Sequence, residues 1–392
     1  MARIRTYNKI APEGLALLTD RGHTVGPDIQ NPDGIIVRSS SLHDVEFNSE
    51  LIAIARAGAG VNNIPLDRCT ERGIVVFNTP GSNANSVKEL VIAGLLISSR
   101  RIIDACTWVE TLDPATVDIA REVEANKNAF VGPELAGKRL GVVGLGAVGV
   151  MVANAGEALN MEVTGFDPYL SVENAWGLSR TVTRATSLEH LLKSVDYLTI
   201  HAPLNGNTHH LIGADSLKRV KPGIRILNFA RAGLVDTTAV LKALKTGRVS
   251  RYVTDFPEGN IIGVPGVIAI PHLGASTPEA ETNSAVMAAR QLANYLEIGN
   301  IRNAVNFPAS EVSLATETRL LIANRNVPNM VGQITTVLAE ANINIAELLN
   351  RHKGDLAYNI IDIDSPVPKP VVEELRNIDG VVRLRYIERQ NR

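Results

Sequence analysis

The residues Gly144-Leu-Gly146-Ala-Val-Gly149 follow an apolar run at 140–143 and open a stretch of helical spacing through Ala158. Chemistry explains each glycine. The first permits a tight turn, the second lets the backbone approach a pyrophosphate, and the third allows helix and strand to touch closely. The helix N-terminus then favours the anion. Asp167 ends the next apolar run, eighteen residues after Gly149. A carboxylate there suits the ribose hydroxyls of a dinucleotide and opposes a 2′-phosphate, which selects NAD over NADP.

Ligands of an open α/β sheet sit beyond the carboxyl ends of its strands. The residues after each later apolar run are therefore informative: His201-Ala202-Pro203, Asn228-Phe229-Ala230-Arg231, Asp255, and Pro271-His272. Together they supply an arginine, a carboxylate and a histidine. A histidine can take a hydroxyl proton near neutral pH as hydride leaves the same carbon. A planar guanidinium can hold a substrate carboxylate through two bonds. A lone histidine or arginine is more often a surface or ion-pair residue; their joint placement gives these two weight. His201, His209 and His210 lie close in sequence but have no carboxylate set nearby, so no metal site is expected.

The elements that must position these groups alternate. Runs at 34–37, 53–57 and 74–77 read as buried strands, with helices beginning near Pro12, Phe47, Pro65 and Asn85. A second series has strands at 140–143, 162–166, 196–200, 224–227, 252–254 and 267–270, and helices at 187–193 and 237–245. That alternation predicts α/β architecture with two doubly wound parallel-sheet domains. A long helix covers 278–298 and a linker 303–310. Strands at 319–323, 344–349, 358–363 and 381–387, with helices at 331–341 and 369–377, then give the order βαββαβ of a ferredoxin-like module.

Composition excludes several classes. The net charge of −2 and 4% aromatic content argue against nucleic acid as partner. Two cysteines, Cys69 and Cys106, are too few for a disulfide framework or a cysteine zinc site, and fit a reducing cytoplasm. The apolar run near 91–97 is too short to span a bilayer, and residues 1–20 lack a continuous signal-type core.

Several segments resemble the D-isomer-specific 2-hydroxyacid dehydrogenases over nearly the whole chain. They are Val37-Arg-Ser-Ser40, Arg56-Ala-Gly-Ala-Gly-Val-Asn-Asn63, Asn78-Thr-Pro-Gly81, the glycine loop, Asn228-Phe-Ala-Arg-Ala-Gly-Leu-Val-Asp236 and Pro271-His-Leu-Gly-Ala-Ser276. Within that family the chain is most similar to members that oxidise 3-phosphoglycerate and carry a C-terminal ACT domain. The resemblance implies that Arg231 binds the carboxylate and reacting oxygen, that His272 is the general acid/base, and that Asp255 holds the nicotinamide carboxamide. It also implies NAD contacts from Thr79, Ala147, Val148, Ala202, Ala230 and Gly274. Arg38 and Ser39 match the substrate-phosphate loop, and Gly58, Ala59 and Gly60 approach the substrate carboxylate. The domains expected are 1–90 with 277–306 for substrate, 91–276 for NAD, and 317–392 as the ACT-like regulatory module.

One departure concerns catalysis. The family places a glutamate before a proline five residues after the aspartate, where this chain has Asn260-Ile261. Either Glu258 fills the role on a shorter loop, or Asn260 orients the imidazole, or no residue does. In the module, Asn324, Asn326 and Asn344 match an effector site that lies between two such domains and takes L-serine; the alternative is a purely structural dimerisation module. The expected activity is oxidation of D-3-phosphoglycerate to 3-phosphohydroxypyruvate, the first step of serine biosynthesis, by a homodimer or homotetramer. Alternatives are a glyoxylate, hydroxypyruvate or 2-oxoglutarate reductase, and a non-catalytic NAD-sensing protein. A core ending near Ser310 is expected to remain catalytic without the module.

Overall fold

The computed structural model describes residues 1–388. Two compact units emerge: Met1–Ser82 together with the chain from Glu281 onward, and Asn83–Ala280. In the first, β1 (Arg3–Tyr7), β2 (Thr24–Gly26), β3 (Gly34–Val37), β4 (Ala53–Arg56) and β5 (Val75–Phe77) form a five-stranded parallel sheet ordered β2-β1-β3-β4-β5. Every residue of β3 and β5 is buried. Helices covering both faces of a parallel sheet require such unbroken apolar runs.

The second unit contains β6 (Arg139–Val143), β7 (Glu162–Phe166), β8 (Thr183–Arg184), β9 (Tyr197–Ile200), β10 (Ile224–Asn228), β11 (Val249–Thr254) and β12 (Val267–Ala269). They form a seven-stranded parallel sheet ordered β12-β11-β10-β9-β6-β7-β8. Strand order reverses between β6 and β9, the place where doubly wound sheets open a ligand crevice.

The C-terminal part contains β13 (Thr318–Arg325), β14 (Ile345–Lys353), β15 (Leu356–Ile363) and β16 (Val381–Glu388) in an antiparallel sheet ordered β14-β15-β13-β16. Helices Met330–Glu340 and Lys369–Asn377 complete the βαββαβ order. Leu320, Ile322 and Ile361 pack with Ile334 and Leu338 of the first helix. Leu321, Ala323, Tyr358 and Ile360 share a core with Phe77, Leu292 and Tyr295. Both faces of this sheet are therefore covered.

Two expectations need correction, and two strands, β1 and β2, had no counterpart among them. No helix forms near Phe47, where Asn48 instead accepts from the Leu51 N–H through its side chain at 2.7 Å and from Arg72 through its carbonyl at 2.9 Å; such local bonds compete with a helix. β1 and β2 have only one buried residue between them, Ile4, and so carry little apolar signal. The stretch 303–310 is anchored rather than a free linker: Ala304 bridges Phe77, and the Asn306 side chain bonds the Val76 N–H and Ile74 carbonyl. No helix among the described residues is long and apolar enough to cross a membrane.

Candidate active site

The glycine loop lies between β6 and helix Ala147–Ala158. Gly144 has φ +87°, and a Cβ there would lie 2.7 Å from the His201 carbonyl carbon. A Cβ on Gly149 would fall 1.9 Å from the Gly144 oxygen. Both glycines are fixed by packing. Gly146 is different: no atom lies within 4 Å of where its Cβ would be, so the loop is open where a pyrophosphate would approach. Ala147 and Val148 form the first turn of the helix beyond it. Asp167 follows β7 and is held by the loop, with Oδ2 accepting the Leu145 N–H and Oδ1 the Tyr169 N–H, each at 2.8 Å. Each oxygen keeps a further lone pair for a ribose hydroxyl.

Because β10, β11 and β12 are parallel neighbours, their carboxyl ends set Arg231, Asp255 and His272 in adjoining loops at one end of the sheet. Buried Asn228 pins the first loop. Its Oδ1 accepts the Ala230 N–H at 3.2 Å and its Nδ2 donates to the Arg231 carbonyl at 2.9 Å. The Arg231 side chain is exposed, and its guanidinium donates to the Ala230 carbonyl at 2.6 Å. His272 is exposed and its ring lies 4.8 Å from that of Phe256. Asp255 is fully buried, and its Oδ2 accepts the Gly274 N–H at 3.2 Å. Burial pushes its carboxyl above the usual range, against the opposing pull of that N–H and of His272. Its Oδ1 is buried with no hydrogen-bond partner among the described residues. A carboxamide N–H of NAD would supply the missing donor, so the residues present fit the cofactor. Ser86 steadies the same loop by donating to the Gly274 carbonyl at 2.9 Å, while Ala202 lies two residues beyond the end of β9.

Glu258 and Asn260 converge on Thr237. The Thr237 hydroxyl donates to Glu258 Oε2 at 2.9 Å and accepts from Asn260 Nδ2 at 3.2 Å. Among the described residues no hydrogen bond joins either of them to His272. His209 and His210 stack ring on ring at 3.9 Å.

In the first unit, Arg38 and Ser39 follow β3, and Gly58, Ala59 and Gly60 follow β4. The Ala59 carbonyl accepts from Asn78 at 2.7 Å, and the Gly58 carbonyl accepts the N–H of buried Thr79 at 3.1 Å. Arg38 pairs with Glu281 at 2.6 Å. Asn8 Oδ1 accepts the Ser39 and Ser40 N–H groups at 3.0 and 2.5 Å.

Residues 93–274 match the family model of the D-isomer specific 2-hydroxyacid dehydrogenase NAD binding domain. D-3-phosphoglycerate dehydrogenase of Archaeoglobus fulgidus is 35% identical over 296 residues, 73% of this chain and 54% of that protein. The Haemophilus influenzae protein of the same name is 31% identical over 88% of this chain and 83% of its own length. The chain belongs to the D-isomer-specific 2-hydroxyacid dehydrogenase family. It spans about half the length of the Archaeoglobus relative. The crystal structure of NAD+-bound 3-phosphoglycerate dehydrogenase from Entamoeba histolytica superposes with a TM-score of 0.59 at 25% identity, covering 78% of this chain and 98% of that one.

Against that family background, several supporting residues had no signal of their own in the sequence. Phe256, Ser86, Thr237 and Glu281 are defined by contacts made in the fold, and only the chain order of strand ends pointed towards their neighbourhood. The asparagines of the C-terminal sheet separate. Asn324 is buried, with Oδ1 accepting from Asn359 and Nδ2 donating to the Arg325 carbonyl, both at 2.7 Å. Asn326 is exposed just after β13, and Asn344, just before β14, donates to Asp364 at 2.5 Å. Ile345 and Thr318 both register with Ile363, so Asn344 lies at the opposite end of the sheet from Asn326. A strand of that length puts roughly 25 Å between them. One ligand contacting both would need a second copy of the module.

Proposed function

We propose that this chain oxidises D-3-phosphoglycerate to 3-phosphohydroxypyruvate with NAD, the first step of serine biosynthesis, in the cytoplasm. The observation carrying the reading is the alignment of Arg231, Asp255 and His272 on three adjacent strand ends of the sheet that bears the glycine loop. Held by the glycine loop, Asp167 and Asp255, NAD would supply the acceptor for a hydride from C2 of the substrate. Arg231 holds the carboxylate and reacting oxygen, and His272 takes the hydroxyl proton. Glu258, hydrogen-bonded to Thr237 and not to His272, is assigned as the carboxylate that supports the imidazole through its charge. The names of the relatives favour 3-phosphoglycerate as substrate. Residues 1–90 with 277–306 serve as substrate domain, 91–276 as NAD domain and 317–392 as regulatory module. L-serine is assigned between two modules, at Asn326 and Asn344, with Asn324 behind them in the sheet. Exposed Ile102, Ile103, Val109 and Val131 favour a homo-oligomer, a dimer or tetramer, that covers this segment.

A second reading, reduction of glyoxylate, hydroxypyruvate or 2-oxoglutarate, is favoured by the Arg38–Glu281 pair, which already occupies the arginine assigned to a phosphate. Initial rates with a panel of 2-hydroxy acids and either NAD or NADP decide between them. The expected outcome is highest kcat/KM with 3-phosphoglycerate and NAD, and a loss of about 10²–10⁴-fold in kcat for His272→Ala. Near-full activity of that variant sinks the mechanism; a larger kcat/KM with an unphosphorylated acid sinks the substrate.

A further inference from the structure

Arg38 follows β3, and Glu281 stands near the start of helix Pro278–Ile298. Arg38 Nη2 donates to Glu281 Oε1 at 2.6 Å, although the two side chains are 40% and 44% exposed. The backbone of the same loop is also engaged. The N–H groups of Ser39 and Ser40 both point at Asn8 Oδ1, and the Arg38 carbonyl accepts from Arg56 Nε at 3.0 Å. A loop suited to reading a phosphate thus has one nitrogen of its arginine and two of its backbone N–H groups engaged by groups of the protein itself.

We propose that Glu281 is a specificity-determining residue, an internal anion that competes with the terminal phosphate of the substrate for Arg38. This rests on the assignment of Arg38 to that phosphate. A phosphate monoester carries roughly two negative charges at neutral pH. To reach Arg38 it must displace a carboxylate or share the guanidinium with it, and in either case that carboxylate remains nearby as a like charge. A substrate ending in a hydroxyl meets no such repulsion. The pair therefore narrows the preference for phosphorylated over unphosphorylated 2-hydroxy acids. Because both side chains are partly exposed, solvent screens the effect and keeps it modest.

The test is steady-state kinetics with D-3-phosphoglycerate and D-glycerate on the full chain and on Glu281→Gln, Glu281→Asp and Arg38→Ala. Glu281→Gln should raise the ratio of kcat/KM for 3-phosphoglycerate over D-glycerate by about two- to fivefold, the range an exposed ion pair commands. The change should lie in KM and not in kcat. Glu281→Asp should restore the original ratio, and Arg38→Ala should lower it. A merely structural role would shift both substrates together. If the unaltered protein oxidises 3-phosphoglycerate and Glu281→Gln leaves the ratio unmoved, the inference fails and the substrate assignment stands. If only Glu281→Gln acquires 3-phosphoglycerate oxidation, the inference stands and the substrate assignment fails. If no variant accepts the phosphorylated substrate while D-glycerate is oxidised, both fail.

Discussion

His201 and His272 both follow strands of the second sheet, yet their surroundings divide them. His272 is exposed beside Phe256, whereas the His201 ring bonds Thr199 Oγ1 at 2.9 Å and burial pushes its pKa down to about 4. His201 is therefore neutral near pH 7, and its backbone closes over Gly144. A histidine whose folded pKa lies below its unfolded value binds more protons when unfolded. Its stabilising effect is complete above the ordinary value of 6.5 and is lost as pH falls towards 4. The slope in that window is about 1.4 kcal/mol per pH unit. Urea unfolding between about pH 7 and about pH 4.5 should accordingly show a shallower pH dependence for His201→Gln than for the unaltered protein; identical slopes would remove His201 as the cause. The sequence placed both histidines at strand ends because apolar runs mark those ends. It could not rank them, since burial depends on the neighbouring strands. Glu281 and Asn8 were illegible for a related reason: their partners lie 243 and 31 residues away.

At the level of elements, the link between β13 and helix Pro278–Ile298 is a buried charge network. Arg319 and Asp362 are fully buried, with Nε donating to Oδ1 at 2.5 Å and Nη2 to Oδ2 at 2.8 Å. Arg319 also donates to the Ile298 and Ser313 carbonyls, each at 2.9 Å. Arg385 of β16 donates to the Tyr295 and Leu296 carbonyls at 3.0 and 2.8 Å. Guanidinium groups thus satisfy carbonyls at the helix C-terminus and complement its dipole. Removing one buried partner strands the other charge, so Arg319→Met should cost about 3–5 kcal/mol in denaturant unfolding. Arg319→Met with Asp362→Leu should regain part of that loss; a double variant no better than the single one would show that the network's value is not electrostatic. The strand and helix were legible from their periods. The run Arg319-Leu-Leu-Ile-Ala323 also lacks the alternation of a half-exposed strand, a sign that both faces are covered. What covers the second face was not legible, because the apolar partners, Phe77, Leu292 and Tyr295, belong to elements far back in the chain.

Across the first unit, that shared face decides whether the C-terminal module can be detached. A linker at 303–310 implied that a core ending near Ser310 would stand alone. The fold argues otherwise. Leu321, Leu356, Tyr358 and Ile360 lie in one apolar cluster with Phe77, Leu292 and Tyr295, and the Tyr358 hydroxyl donates to the Gly299 carbonyl at 2.8 Å. Arg383 adds a bond to the Arg72 carbonyl, and Lys353 bonds the carbonyls of Ala304 and Val305. Ending the chain at Ser310 would uncover the Phe77, Leu292 and Tyr295 side of that cluster. Each large apolar side chain so exposed forfeits about 1.5–3 kcal/mol of burial. Three such losses approach the whole stability of an ordinary domain, about 5–15 kcal/mol. The truncated chain should therefore unfold at markedly lower temperature or aggregate, and the proposed 2-hydroxy acid oxidation should fall with it. A chain of residues 1–310 that keeps the Tm and kcat of the full protein would show that the shared core contributes little. The same geometry bears on the proposed serine site. The sheet of the C-terminal module packs against helix Pro278–Ile298, which carries Glu281 near one end and the carbonyls held by Arg319 and Arg385 at the other.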